Sequence, residues 1–122
     1  MYELSVKTHF SAAHHLDGYE GKCSMMHGHN WEIEVFVAGE KLNGIGILVD
    51  FRLLKEMVGD IIGELDHADL NALDSFRVAN PTSENIARFV CDKLSVRLKE
   101  TGCRVSRVLV RETPETSATY TP

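Results

Sequence analysis

Hydrophobic and polar residues alternate in two stretches near the N-terminus. Over residues 2–13, Tyr2, Leu4, Val6, Thr8, Phe10 and Ala12 fall on one side, and a period of two is the signature of a strand with one buried face. Residues 27–38 alternate more cleanly. His27, His29, Trp31, Ile33, Val35 and Val37 share a face, while Asn30, Glu32 and Glu34 take the other. Residues 16–26 carry two glycines and no period, which reads as a loop joining two hairpin partners. Three glycines and Asn43 between Gly39 and Gly46 supply turn chemistry, and Ile45 to Val49 reads as a short third strand.

The period then changes. Phe51, Leu53, Leu54, Met57, Val58, Ile61, Ile62 and Leu65 recur at helical spacing, with Asp50 placed to cap the N-terminus. Gly59 and Gly63 interrupt this helix at i,i+4, each at a cost of about 1 kcal/mol against alanine; their shared face would allow a close approach. Residues 66–81 are irregular. Thr82 or Ser83 caps a second helix that runs to about Thr101, buries Ala87, Val90, Cys91, Leu94 and Leu98, and ends at Gly102. Val105 to Glu112 alternates again as a fourth strand, broken by Pro114, and Ser117 to Tyr120 could add a short terminal one. The order β-β-β-α-α-β, with closely linked and therefore antiparallel strands covered on one face by two helices, is an α+β arrangement within a single domain over residues 1–122.

Composition sharpens this picture. Apolar residues make up 43% and charged residues 25% of the 122, which fits one soluble globular core. A chain this short leaves little material for a deep private pocket, and such chains often build pockets between subunits. The net charge of −5 argues against general nucleic-acid binding, which needs a basic face. Cys23, Cys91 and Cys103 are odd in number and widely spaced, so they form no disulfide framework and fit a reduced, cytoplasmic setting. The N-terminal residues show no signal-peptide pattern, and the apolar runs fall far short of a membrane span.

The chemistry concentrates in histidines. In His27-Gly28-His29 the strand period points both imidazoles to one face, and Gly28 has no side chain to crowd them. Alone, the tripeptide fits core packing as well as a metal site. His14 closes the first strand on the side of Phe10 and Ala12, so hairpin pairing would bring it beside His27 and His29. Three neutral imidazoles with a fourth position open is the catalytic zinc arrangement. His15 reads as a solvated side chain, and His9 also lies outside this cluster. Cys23, four residues before His27, could be a fourth ligand in a closed structural site, a base or nucleophile beside the metal, or an inert thiol; Cys91 and Cys103 read as inert. Asp66-His67 follows the first helix, where a polar C-terminal turn explains the pair as well as a relay does. Glu112 shares a face with Val108 and Val110, an odd place for a carboxylate unless a ligand pairs it.

Six segments occur in order: Phe10-Ser11-Ala12-Ala13-His14, Cys23-Ser24-Met25-Met26-His27-Gly28-His29, Val49-Asp50-Phe51 with Leu54-Lys55, Leu65-Asp66-His67 with Leu70-Asn71, Asn80-Pro81-Thr82-Ser83-Glu84-Asn85, and Arg111-Glu112-Thr113. Together they resemble the 6-pyruvoyl-tetrahydropterin synthase superfamily across nearly the whole chain. The resemblance implies the tunnelling fold, a four-stranded antiparallel sheet with two helices on one face. It also implies a homohexamer of two stacked trimers with active sites between subunits.

The resemblance further implies that His14, His27 and His29 bind Zn²⁺, which would hold the side-chain hydroxyls of 7,8-dihydroneopterin triphosphate. Cys23 would be the base that moves protons on that side chain, and Asp66 with His67 the proton-relay pair. Glu112 would anchor the pterin ring, in a pocket lined by Thr82 and Ser83. The implied chemistry is triphosphate elimination with internal redox rearrangement. In the bacterial branch that serves queuosine biosynthesis, side-chain cleavage also releases acetaldehyde and leaves 6-carboxy-5,6,7,8-tetrahydropterin. The short chain and compact 16–26 loop favour this branch. The rivals are the 6-pyruvoyl product, made by the same ligands and base, and a non-catalytic pterin-binding protein. A folate-precursor branch carries a glutamate in the loop before the HGH, and Ser24, Met25 and Met26 supply none.

Overall fold

The two alternating N-terminal stretches form one long hairpin. In a computed structural model describing residues 1–122, β1 spans Tyr2–His14 and β2 spans His27–Gly39. They pair antiparallel along their whole length, from Tyr2 opposite Gly39 to His14 opposite His27. Helix α1 covers Phe51–Gly63 and α2 covers Ser83–Leu98. Strand β3 (Arg104–Thr113) then pairs with β2, and β4 (Thr116–Tyr120) with β3. The sheet order is β1-β2-β3-β4, and the chain order is β-β-α-α-β-β.

The third strand expected over 45–49 is absent. Asn43 turns the chain there: its side-chain oxygen accepts from the backbone N–H of Ile45 and of Ile47, both at 3.0 Å, and its own N–H donates to the Ile47 carbonyl. An asparagine that satisfies its neighbours' backbone locally competes with sheet pairing. The four strands are completed by β4 instead.

Both helices start where their caps predict. The Asp50 carboxylate accepts from Arg52 N–H at 2.8 Å, and the Thr82 hydroxyl accepts from Asn85 N–H at 3.1 Å, each such cap contributing about 1 kcal/mol. Past Leu98 a 3₁₀ turn over Lys99–Thr101 runs to Gly102, whose φ of 76° is the left-handed conformation glycine adopts freely.

The helices lie on one face of the sheet, α1 against β1 and α2 across β3 and β4. Between the layers sit Phe10, Trp31, Ile33, Val35, Val108 and Val110 from the strands and Leu54, Ile61, Ile86, Val90 and Leu94 from the helices, all buried. A bulge in β3 shifts the register between Phe36 and Val37, so that Val105 and Val108, three apart, both face inward. The opposite face of the sheet is charged, with Lys7 and Arg111 flanking Glu32 at 3.5 and 3.7 Å and the Arg107 guanidinium 3.8 Å above the Phe36 ring.

The irregular 66–81 segment wraps the free edge of β1. His67 N–H donates to the Ser11 carbonyl at 2.6 Å, and Ala13 N–H to the Ala68 carbonyl at 3.1 Å. Two asparagines then act as substitute peptide groups. Asn71 exchanges side-chain hydrogen bonds with both backbone groups of His15, and Asn80 does the same with Asp17. These bonds satisfy backbone groups that would otherwise be left open at a strand end.

Candidate metal centre

Strand pairing assembles the centre directly. His14 lies opposite His27 across the hairpin, and His29 is two residues further along the same face of β2. The ring centroids are 4.4 Å apart for His14 and His27, 4.8 Å for His27 and His29, and 5.3 Å for His14 and His29. Trp31 closes the inner side, its ring 4.9 Å from that of His14 and 5.4 Å from that of His29. The Trp31 indole N–H reaches back to the Ala12 carbonyl at 3.4 Å.

Backbone carbonyls fix two of the imidazoles. His14 Nδ1 lies 2.8 Å from the Pro81 carbonyl oxygen and His27 Nδ1 lies 2.7 Å from that of Met25. A carbonyl can only accept, so both Nδ1 atoms carry the proton and the neutral rings present bare Nε2 lone pairs to the centre. Such outer partners orient metal-binding histidines. His29 is held below the ordinary histidine pKa, mainly because burial penalises its charged form; the nearby His14 and His27 add to this, and Glu112 opposes it. A neutral imidazole is the form that binds metal.

Glu112 completes the cluster. Its Oε1 lies 3.0 Å from His14 Nε2 and 2.9 Å from His29 Nε2. One ligand atom from each of His14, His27, His29 and Glu112 lies within 4.8 Å of the others. The Nε2 atoms of His14 and His29 are buried and have no hydrogen-bond partner. Buried polar nitrogens are rarely left unpaired, and two of them converging beside a carboxylate oxygen fit a metal ion.

Cys23, Asp66 and His67 stand outside this group. Cys23 is half-buried, in a 3₁₀ turn over Lys22–Ser24. The Asp66 carboxylate accepts from Ser11 N–H at 3.0 Å and lies 3.0 Å from His67 Nδ1. Its pKa is lowered chiefly by the Ser11 hydrogen bond, against a small desolvation, with His67 assisting. His67 is exposed, and its φ of 57° makes it the one non-glycine residue in the left-handed region, a strained conformation that active sites often hold. The pair therefore sits on the β1 edge and points away from the core.

Other expectations resolve plainly. His9 is exposed, and His15 pairs at 3.1 Å with Asp17. Cys91 is buried, with its thiol pKa raised by that burial. The Thr82 hydroxyl is engaged as the α2 cap, next to the Pro81 carbonyl that holds His14. Gly28 does not serve to uncrowd the imidazoles. A Cβ there would point to the other face of the sheet, its nearest neighbour the Ala12 carbonyl at 3.9 Å, where an open depression of about 450 Å³ lies between Gly28, Asn30, Ser11 and His67. A larger groove of about 1060 Å³, between α1, α2 and residues 75–79, holds none of the expected site residues. Reading the sequence alone assigned no role to Met25, Asn71, Asn80 or Pro81, although all four fall within the six ordered segments.

The 6-pyruvoyl tetrahydropterin synthase family model matches residues 3–122. The chain belongs to this family. It is 36% identical over 128 residues to the 6-carboxy-5,6,7,8-tetrahydropterin synthase of Bacillus subtilis, covering 99% of this chain and 86% of that one. It is 37% identical over 89 residues to a dihydroneopterin monophosphate aldolase of Pyrococcus furiosus, covering 73% and 71%. The fold matches that of Caenorhabditis elegans 6-pyruvoyl tetrahydropterin synthase with a TM-score of 0.90, at 28% identity over 99% of this chain and 95% of that one. The four-stranded antiparallel sheet with two helices on one face is thus the family's tunnelling fold.

Proposed function

We propose that this chain is a zinc-dependent lyase that converts 7,8-dihydroneopterin triphosphate and water to 6-carboxy-5,6,7,8-tetrahydropterin, acetaldehyde and triphosphate, in the service of queuosine biosynthesis. The observation that carries the reading is the convergence of three histidine nitrogens, two of them buried and unpartnered, in a chain of this family. Its 36% identity to the Bacillus subtilis 6-carboxytetrahydropterin synthase over nearly its full length favours that product.

His14, His27 and His29 would hold the ion, two of them locked in the metal-binding tautomer by Pro81 and Met25. Bound zinc would supply Lewis acidity, lowering the pKa of side-chain hydroxyls and steadying negative charge. Cys23, half-buried in the loop just before His27, moves protons on the side chain. Asp66 accepts a hydrogen bond from the Ser11 backbone and orients His67 through Nδ1, which leaves His67 Nε2 to pass a proton. Glu112 accepts the pterin N–H groups, and the Thr82–Ser83 segment lines that pocket.

The Asp66–His67 pair on the outward edge of β1 supports active sites shared between subunits, with the relay of one chain serving the centre of its neighbour. The edge of β4, and that of β1 before Ser11, can pair across subunits, which supports the hexamer of two stacked trimers. A second reading, the 6-pyruvoyl product without side-chain cleavage, draws on the fold match to the Caenorhabditis elegans enzyme. Triphosphate release should vanish when the protein is stripped with a chelator and return with zinc. Cys23→Ala should lower kcat by about a hundredfold or more, as loss of a general base does. Full turnover by the stripped protein would remove the metal from the reaction, and full turnover by Cys23→Ala would remove that residue's role.

A further inference from the structure

We infer that Glu112 is itself a metal ligand in the substrate-free protein, closing the fourth position until a pterin draws the carboxylate away. The inference rests on the lyase reading for the identity of the pterin, and on the structure for the ligation.

A single carboxylate oxygen, Glu112 Oε1, lies 3.0 Å from His14 Nε2 and 2.9 Å from His29 Nε2. These are hydrogen-bond lengths, yet both nitrogens lack a hydrogen-bond partner, so the oxygen is out of line for either. A proton on His14 Nε2 is also ruled out while the ring is neutral, because Nδ1 already donates to the Pro81 carbonyl. Electron-rich oxygen and nitrogen atoms held 3 Å apart with no proton shared repel unless both bind one cation. Ligands at about 2.0–2.1 Å around a tetrahedral zinc ion are roughly 3.3 Å apart, close to the separations seen here. The oxygen and the nitrogens are therefore spaced as neighbouring corners of one coordination shell.

The strand explains why the carboxylate reaches this place. Glu112 follows Val110 at the strand period, on the buried face of β3, and Val110 lies opposite Ile33. Its half-buried side chain reaches His14 and His29.

Family resemblance gives the same carboxylate to the pterin N–H groups. One oxygen pair cannot grip the ring and keep the metal at once. Pterin binding would therefore open the fourth position, and a molecule lacking the ring's N–H donors would leave it closed. Glu112 thus links recognition of the ring to exposure of the metal, a way of keeping the centre inert toward other hydroxylated phosphates.

The test uses the full-length protein loaded with cobalt(II), whose visible bands report coordination, and thiocyanate as a probe for an open position. Wild type should bind thiocyanate weakly, whereas Glu112→Ala should bind it with a clear change in the cobalt bands. Adding pterin, which has the ring N–H donors but no side-chain hydroxyls, to wild type should shift its bands toward those of Glu112→Ala. Zinc affinity, measured against a chromophoric chelator, should fall about tenfold or more in Glu112→Gln, which keeps the side chain's shape should the alanine variant fold poorly. Identical cobalt bands and thiocyanate affinity in wild type and both variants would overturn the inference. Absence of lyase turnover would overturn the functional reading instead, while the ligand-free spectra would still decide the ligation.

Discussion

Two backbone carbonyls, those of Pro81 and Met25, decide which nitrogen each of His14 and His27 offers. That control is invisible in an amino-acid pattern, because it depends on where a distant loop crosses the strand end. The cluster itself is legible, because strand periodicity and hairpin pairing fix it: His14 opposite His27 follows from two alternating runs joined by one loop. Glu112 is half legible, as a carboxylate out of place among valines whose partner only the fold shows. His14→Ala should abolish stoichiometric zinc, measured by elemental analysis, while leaving the far-UV circular dichroism intact; a full zinc content would remove His14 from the ligand set. Asp66 carries a pH signature. Its folded pKa is lowered, so its contribution is present above the ordinary carboxylate value of 3.8 and is lost as pH falls through the lower folded value. The Tm difference between wild type and Asp66→Asn should be largest near neutral pH and shrink below about pH 4. A constant difference down to pH 2 would contradict the charge-assisted bond to Ser11.

At the scale of elements, the two helices and the long hairpin follow from periodicity and caps, and their ends agree with Asp50, Thr82 and Gly102. The 45–49 segment is apolar enough to read as a strand, but Asn43 closes its backbone locally and no sheet edge is there to take it. Strand β4 was the weaker pattern and became the fourth strand because the turn at Pro114 returns it alongside β3. Gly59 and Gly63 face open space within the chain, with nothing within 4 Å of a Cβ at either. Gly59→Ala should therefore stabilise the folded chain by about 0.4–1 kcal/mol, read from urea unfolding. Destabilisation would mean that another surface packs against α1 in the assembled protein. Asn80 ties α2's entry to the loop after β1 through Asp17, while its carbonyl accepts from Asn85. Asn80→Ala should cost about 1–3 kcal/mol and loosen the Pro81 carbonyl from His14, so weaker zinc binding should accompany the lower stability.

Taken whole, one chain brings His14, His27, His29 and Glu112 together and leaves Asp66 and His67 apart from them. The proposed assembly rests on the Asp66–His67 pair, which faces outward on the β1 edge, and on the open β4 edge of the sheet. Sedimentation should show a hexamer at micromolar concentration, and a stable monomer there would contradict the shared site. Charge carries none of this; the expectation of shared sites comes from the short chain and from the resemblance of the six ordered segments. The most direct test of the lyase reading is mass spectrometry of the products formed when zinc-loaded protein meets 7,8-dihydroneopterin triphosphate. The expected result is 6-carboxy-5,6,7,8-tetrahydropterin with acetaldehyde and triphosphate in equal amounts, and recovery of unchanged substrate would contradict it.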